Sequence, residues 1–320
     1  PTLKTVQIEL RAGQAYDLRI DYFEGVIGAS VELLWQRVDK DPMRQVAEVA
    51  RKADVVIAAV GNGMGDETEG KDRDTLALPG KQDEIIRAAL AVNPRVVVVT
   101  TTGSAVAMPW LDKVPAVLHA WFPGQEGGTA MADVLLGEVS PSGKLPITFP
   151  QRLEDEPAFG NFPGKDGKVE YRESVLVGYR WYDTRGIEPL FPFGHGLSYT
   201  TFEYRDLRVT PWDPEDGITV ALKLKNTGKR RGAEAVQIYV HPPKGQVLRP
   251  EQELRGFVKV DLAPGEEREI AVKLPPRAFA YYDETTSAWQ IDPGLHEIRA
   301  SSSSRDVRLR IALDIPAVLQ

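Results

Sequence analysis

The sequence predicts an α/β layered domain with a largely parallel sheet, followed by a fibronectin type III-like β-sandwich, with a short β-module remnant in front. Three observations carry this. Between residues 41 and 149, short continuous apolar runs alternate with segments of helical spacing, the pattern of a sheet covered by helices. From residue 202 onward, apolar and polar residues alternate with a period of two between turn residues. Residues 4–37 alternate in the same way. At 320 residues the chain has room for two domains, or three small ones, and 42% hydrophobic with 27% charged residues are values of a folded chain.

At the N-terminal end, TVQIEL, AYDLRIDYF and ASVELLW read as half-buried antiparallel strands, with Gly13 and Gly25 in the turns. Three strands do not readily make a stable domain alone, so residues 1–40 read as the tail of a larger β-module. Residues 42–52 have helical spacing, with Pro42 near the first turn. DVVIAAVG (54–61) reads as a strand buried on both faces, and a polar loop follows to residue 80. Residues 81–92 read as a helix, RVVVVTTT (95–102) and PAVLHAWF (115–122) as strands, 125–136 as a helix and KLPITF (144–149) as a strand. In such a sheet the ligand edge lies at the carboxyl ends of the strands.

Residues 151–200 are rich in Gly, Pro and aromatics and read as a long irregular segment, which in a domain of this kind is often functional or interface-forming. Seven or so short strands then follow, from FEYRDLRV to VRLRIALD, an immunoglobulin-like pattern. With no cysteine pair, the fibronectin type III-like form remains. The expected division is 1–40, 41–204 and 205–320.

Composition narrows the function. The net charge of −7 argues against a nucleic-acid binder. With no cysteine there is no disulfide scaffold, thiolate metal site or cysteine nucleophile. The four histidines (His119, His195, His241, His296) are scattered, so a histidine-built metal site is not expected. No apolar run approaches the ~20 residues of a membrane span. No signal peptide is visible, but the sequence opens at Pro1, so both a secreted or periplasmic and a cytoplasmic location stay open.

The stretch from Gly61 to Asp74 holds flexible backbone and five carboxylates in nine residues at the sheet's ligand edge. A dinucleotide fingerprint fits poorly, because Asp66 stands where the third glycine belongs and no helix follows at once. A calcium loop fits poorly, because the acids miss the required offsets and Lys71 and Arg73 dilute the charge. A carboxyl group for acid/base work, its pKa raised by like-charged neighbours, is the third reading. A solvated acidic loop is the plain alternative.

Four strings then carry a family resemblance: ADVVIAAVG with ETEGKDRDTLALPGKQDEII; VVVVTTTGSAVAMPW; WFPGQEGGTAMADVLLGEVSPSGKLPITFP; and VEYRESVLVGYRWYDTRGIEPLFPFGHGLSYTTFEY. In this order they cover residues 53–204 almost continuously, and the chain resembles the C-terminal part of glycoside hydrolase family 3, the β-glucosidases and β-xylosidases. Residues 205–320 resemble the family's fibronectin type III-like domain. Residues 1–40 resemble the end of a protective-antigen-type carbohydrate-binding module.

The resemblance implies a retaining β-glycosidase, foremost a β-glucosidase acting on terminal non-reducing β-D-glycosyl residues, with no metal or organic cofactor. It implies that the nucleophile is an Asp on an N-terminal (β/α)₈ barrel. It implies that the general acid/base is the Glu before Gly in the EG-x-DR string, which is Glu69 here, with Glu67 as runner-up. Asp72 and Arg73 are expected to form an ion pair that shapes the loop. Neither the family's Ser-Asp-Trp nucleophile string nor its Lys-His pair occurs here, so the barrel is expected as a partner, on the same polypeptide or a second chain. The chain alone is then expected to be inactive. The substrate is a β-glycoside or oligosaccharide, and a homo-oligomer through the β-module is open. A non-catalytic carbohydrate-binding or assembly module with the same fold is the alternative.

Other conspicuous residues have structural readings. Glu126 suits a helix N-terminus, His119 a buried strand, His195 a packed loop and Lys229-Arg230-Arg231 a solvated hairpin tip. Tyr179, Arg180, Trp181 and Tyr182 suit either a sugar rim or core packing.

Overall fold

The computed structural model describes residues 6–21, 31–35, 41–63, 65–245 and 247–317. The chain divides into two units, Pro1–Pro42 and Met43–Gln320. In the first, the described residues form no strand, only a turn at 12–13, and are exposed, Val6 to 80% and Trp35 to 87%. The expected half-buried strands are therefore not formed at 6–21 and 31–35; the rest of that expectation lies outside the described residues. Alternation yields a strand only when a neighbouring strand takes its hydrogen bonds and a core takes its apolar face.

In the second unit, α1 (Pro42–Lys52), β1 (Val56–Gly61), α2 (Gln82–Leu90), β2 (Val96–Thr101), β3 (Ala116–His119) and α3 (Gly127–Leu136) build the α/β part. The sheet runs β1-β2-β3, parallel throughout, with Val56 opposite Val96 and Val97 opposite Ala116. Val96 and Val98 of β2 pack with Ala58 and Val60 of β1, Ile86 and Ala89 of α2, and Trp110. Each fully buried aliphatic contributes about 1.5–3 kcal/mol. The expectation that β1 is covered on both faces is corrected: it is an edge strand in which Ile57 is 56% exposed and Ala59 is exposed, and only Ala58 and Val60 are buried in the core.

The strand expected at 144–149 is also corrected. That segment runs beside 190–195 through isolated hydrogen bonds, Leu145 N–H to His195 O at 2.8 Å and Phe149 N–H to Phe191 O at 2.8 Å. Pro146 lies between them and cannot donate, so the ladder is interrupted. Residues 151–200 are irregular as expected, apart from a 3₁₀ turn at Leu153–Asp155 and the two-turn helix α4 (Tyr179–Arg185).

The last part is the expected sandwich. Its strands are β4 (Phe202–Val209), β5 (Ile218–Asn226), β6 (Gly232–His241), β7 (Glu253–Leu262), β8 (Glu267–Leu274), β9 (Tyr281–Asp283), β10 (Ala288–Gln290), β11 (Gly294–Ser301) and β12 (Val307–Ile315). One sheet is β12-β11-β6-β7, the other β4-β5-β8, and β9 pairs with β10 as a hairpin. Strand β5 alternates strictly, with Ile218, Val220, Leu222 and Leu224 turned inward against Val236, Ile238 and Ile298.

The α/β part and the sandwich are joined by specific polar contacts. Helix α4 supplies several of them. Tyr179 Oη accepts the Leu254 N–H at 2.7 Å, Thr184 Oγ1 accepts the Glu251 N–H at 2.9 Å, and Asp183 binds Gln252 at 3.0 Å and Arg305 at 2.5 Å. Lys144 reaches across to buried Glu234 at 3.1 Å, which also accepts from Tyr204 Oη at 2.9 Å. Lys229, Arg230 and Arg231 are exposed, as expected, in the turn between β5 and β6, and from there Arg230 donates to Gly137 O at 2.8 Å.

Candidate active site

The loop leaving β1 is pinned at both ends by Gln82. Its amide accepts the Gly61 N–H at 2.6 Å and donates to Gly61 O at 2.8 Å and Pro79 O at 3.1 Å. Asn62 N–H bonds Thr101 O at 3.0 Å, which continues the strand register for one more residue. At the far end, Leu76 O accepts from Ala107 N–H and Leu78 is buried in the core.

Between these anchors the chain folds back on itself. Thr68 and Lys71 form a bridge, with Glu69 and Gly70 at the tip of the turn between them. Glu69 is exposed at that tip. Glu67, two residues earlier, turns inward. Its Oε1 accepts from Asn62 Nδ2 at 2.7 Å, Ser104 Oγ at 2.7 Å and the Arg73 guanidinium at 3.3 Å, and its Oε2 from Gly103 N–H at 2.6 Å. Burial pulls this carboxyl upward, but the hydrogen bonds from Ser104, Asn62 and Gly103 and the charge of Arg73 outweigh it and hold it below the ordinary carboxylate range. Glu67 is thus an anion with four donors.

Arg73 pairs with Glu67, not with Asp72 as expected, and donates to Ser104 Oγ at 2.6 Å. Neither Ser104 nor Gly103 stands out in the sequence, because each lies more than 30 residues from its partner. The remaining edge of the sheet is aromatic. His119 accepts or donates at Thr100 Oγ1 (2.8 Å), and burial drives its pKa down to about 4 against the pull of the Glu67 charge. Trp121 packs edge-on to it with a left-handed backbone (φ 52°).

A cavity of about 940 Å³ opens beside the loop. Thr68, Lys71 and Asp72 form one wall and Thr148, Glu156, Arg180 and Tyr182 another. Burial pushes the Glu156 carboxyl up, with the nearby Asp155 charge adding to it and the Tyr182 hydroxyl opposing it. Tyr179 and Tyr182 serve packing as well as this wall: Tyr179 stacks on Phe193 at 4.7 Å and Tyr182 is fully buried. His195 stacks on Phe191 at 5.1 Å, a packed loop residue. Glu126 sits at the start of α3 without a side-chain capping bond, leaving only its charge to act there. Among the described residues, no three His, Asp or Glu side chains converge as a metal site would require.

A model of the glycosyl hydrolase family 3 C-terminal domain matches residues 5–199, and a fibronectin type III-like domain matches residues 234–304. A thermostable β-glucosidase B of Acetivibrio thermocellus is 47% identical over 285 residues, covering 88% of this chain and 38% of that protein. A β-glucosidase of Rhizobium radiobacter is 45% identical, covering 85% of this chain and 34% of that one. The crystal structure of a GH3 β-glucosidase from Bifidobacterium adolescentis superposes with a TM-score of 0.84 at 41% identity, over 88% of this chain and 42% of that chain. The chain thus spans well under half the length of these relatives.

Proposed function

The chain belongs to glycosyl hydrolase family 3, and on that premise we propose that it is the C-terminal part of a retaining β-glucosidase that supplies the general acid/base, Glu69. The observation that carries this reading is the placement of Glu69, an exposed carboxyl at the tip of a turn anchored to the carboxyl edge of a parallel sheet. The β-glucosidase names of the similar proteins support the substrate class. Residues 41–204 form the catalytic-loop domain and 205–320 its fibronectin type III-like companion, with 1–40 the end of a protective-antigen-like module.

The chemistry follows from two carboxyl groups. Protonated Glu69 gives its proton to the glycosidic oxygen as the bond from that oxygen to the anomeric carbon breaks. An Asp carboxylate on a (β/α)₈ barrel, carried by the same polypeptide or another chain, attacks that carbon and forms a glycosyl ester. Glu69, now ionised, takes a proton from water as the water oxygen attacks and the ester bond breaks. Retention requires the two carboxyl groups to lie about 5–5.5 Å apart. The sugar therefore sits between Glu69 and the barrel, and this chain alone is inactive on an aryl β-glucoside.

The test is Glu69→Gln in the complete enzyme. Loss of general acid/base catalysis lowers kcat by about 10²–10⁴-fold. Azide, which needs no deprotonation to attack the intermediate, restores turnover of substrates with good leaving groups. Unchanged activity in Glu69→Gln, or turnover by the purified 320-residue chain, would overturn the reading.

A further inference from the structure

The Glu67 carboxylate gathers donors from three separate places: Asn62 at the start of the loop, Arg73 beyond the turn, and Gly103 with Ser104 on the neighbouring loop after β2. Arg73 also donates to Ser104 Oγ, so the donors are cross-linked among themselves. An ionised carboxylate offers about four acceptor sites and no donor, and four donors meet it here. A glutamine at this position has one acceptor oxygen and must turn its NH₂ toward one of these donors. The backbone is fitted to the same end: a Cβ on Gly103 would lie 2.7 Å from Glu67 Oε2 and 2.7 Å from the Phe122 ring. Glu69 follows only two residues later, at the tip of the turn that these contacts hold at its base.

We propose that Glu67 is a positioning residue for the glycosidase reaction, a clamp that fixes the 68–71 turn against the loop after β2 and so sets where Glu69 delivers its proton. This rests on Glu69 being the acid/base. The inward-facing neighbours of Glu67 are all donors or, in His119, a neutral ring. Nothing in the network exchanges a proton during turnover; its contribution is geometric. Displacing a catalytic group by about 1 Å is enough to slow a reaction by about 10²-fold.

The test pairs two variants, Glu67→Gln and the milder Ser104→Ala, with two readouts. In the 320-residue chain, amide hydrogen exchange across 62–74 accelerates at least roughly tenfold in both, the effect of losing a charge-assisted hydrogen bond, while β2 and the sandwich keep their protection. In the complete enzyme, kcat falls by about 10²-fold in Glu67→Gln and by less in Ser104→Ala. The alkaline limb of the pH profile stays where it was, and azide restores nothing. If neither exchange nor kcat changes, the positioning role fails and Glu69 stands untouched. If azide rescues Glu67→Gln and not Glu69→Gln, the proton donor is Glu67 and both readings fall.

Discussion

Replacing Gly61 by alanine tests how closely β1 and β2 must approach for the loop to start where it does. A Cβ at Gly61 would lie 2.2 Å from Thr101 O and 2.4 Å from Thr101 Oγ1. The first of these is backbone in a paired central strand, so it cannot swing aside. Bringing that contact out to 3.0 Å parts the ends of the two strands by about 0.8 Å. The movement stretches the Asn62 N–H to Thr101 O bond beyond hydrogen-bonding range and strains both amide contacts from Gln82 to Gly61. Overpacking of this kind costs about 1–3 kcal/mol and a lost hydrogen bond about 0.5–1.5 kcal/mol, so Gly61→Ala loses about 3 kcal/mol. For a unit of this size that lowers Tm by about 6–12 °C. The assay is thermal unfolding by circular dichroism, with Gly128→Ala as control. Gly128 lies in α3 with nothing within 4 Å of its Cβ position, so alanine there gains up to about 1 kcal/mol of helix propensity. If Gly61→Ala melts within about 2 °C of the parent, the steric reasoning is wrong.

Two further outcomes are checked by unfolding. Lys144→Met removes the cation beside buried Glu234 and leaves a carboxylate with only the Tyr204 hydroxyl, a loss of about 3 kcal/mol in urea titration; a change below about 0.5 kcal/mol would show that the pair is not buried in solution. Burial holds His119 at about 4, below its ordinary 6.5, so the fold keeps it neutral while the unfolded chain takes up a proton. Stability is therefore lost as pH falls from about 6.5 to about 4, by roughly 2 kcal/mol after allowance for its partial exposure. His195 and His296, also pushed down by burial, act in the same direction. His119→Gln should flatten the pH–stability slope in that window, and an unchanged slope would refute the assignment.

The sandwich was legible in the sequence because its signal is local. Strand β5 reads inward and outward in strict alternation, and the turns fall where glycine, proline and asparagine mark them. The same logic failed at residues 6–21 and 31–35, where alternation exists without a formed strand, since a pattern cannot supply its own pairing partner. It failed for β1 because an apolar run does not reveal whether both faces are covered. The acidic loop was found by its composition, and Glu69 by family resemblance. What holds that loop was hidden: Glu67 is joined to Gly103 and Ser104 across 36 and 37 residues, and Arg73 prefers Glu67 to its sequence neighbour. Such contacts belong to the tertiary fold, and no spacing rule encodes them.

Helix α4, only seven residues long, commits Tyr179, Asp183 and Thr184 to partners on the segment 251–254 and at Arg305. Changing one of these residues without its partner leaves a polar group at the seam unpaired. A chimaera that borrows its sandwich from another enzyme must bring matching groups at 251–254 and 305, or its seam will hold orphaned carboxylates and hydroxyls. Matching the seam is thus a requirement on any swapped module separate from matching its core.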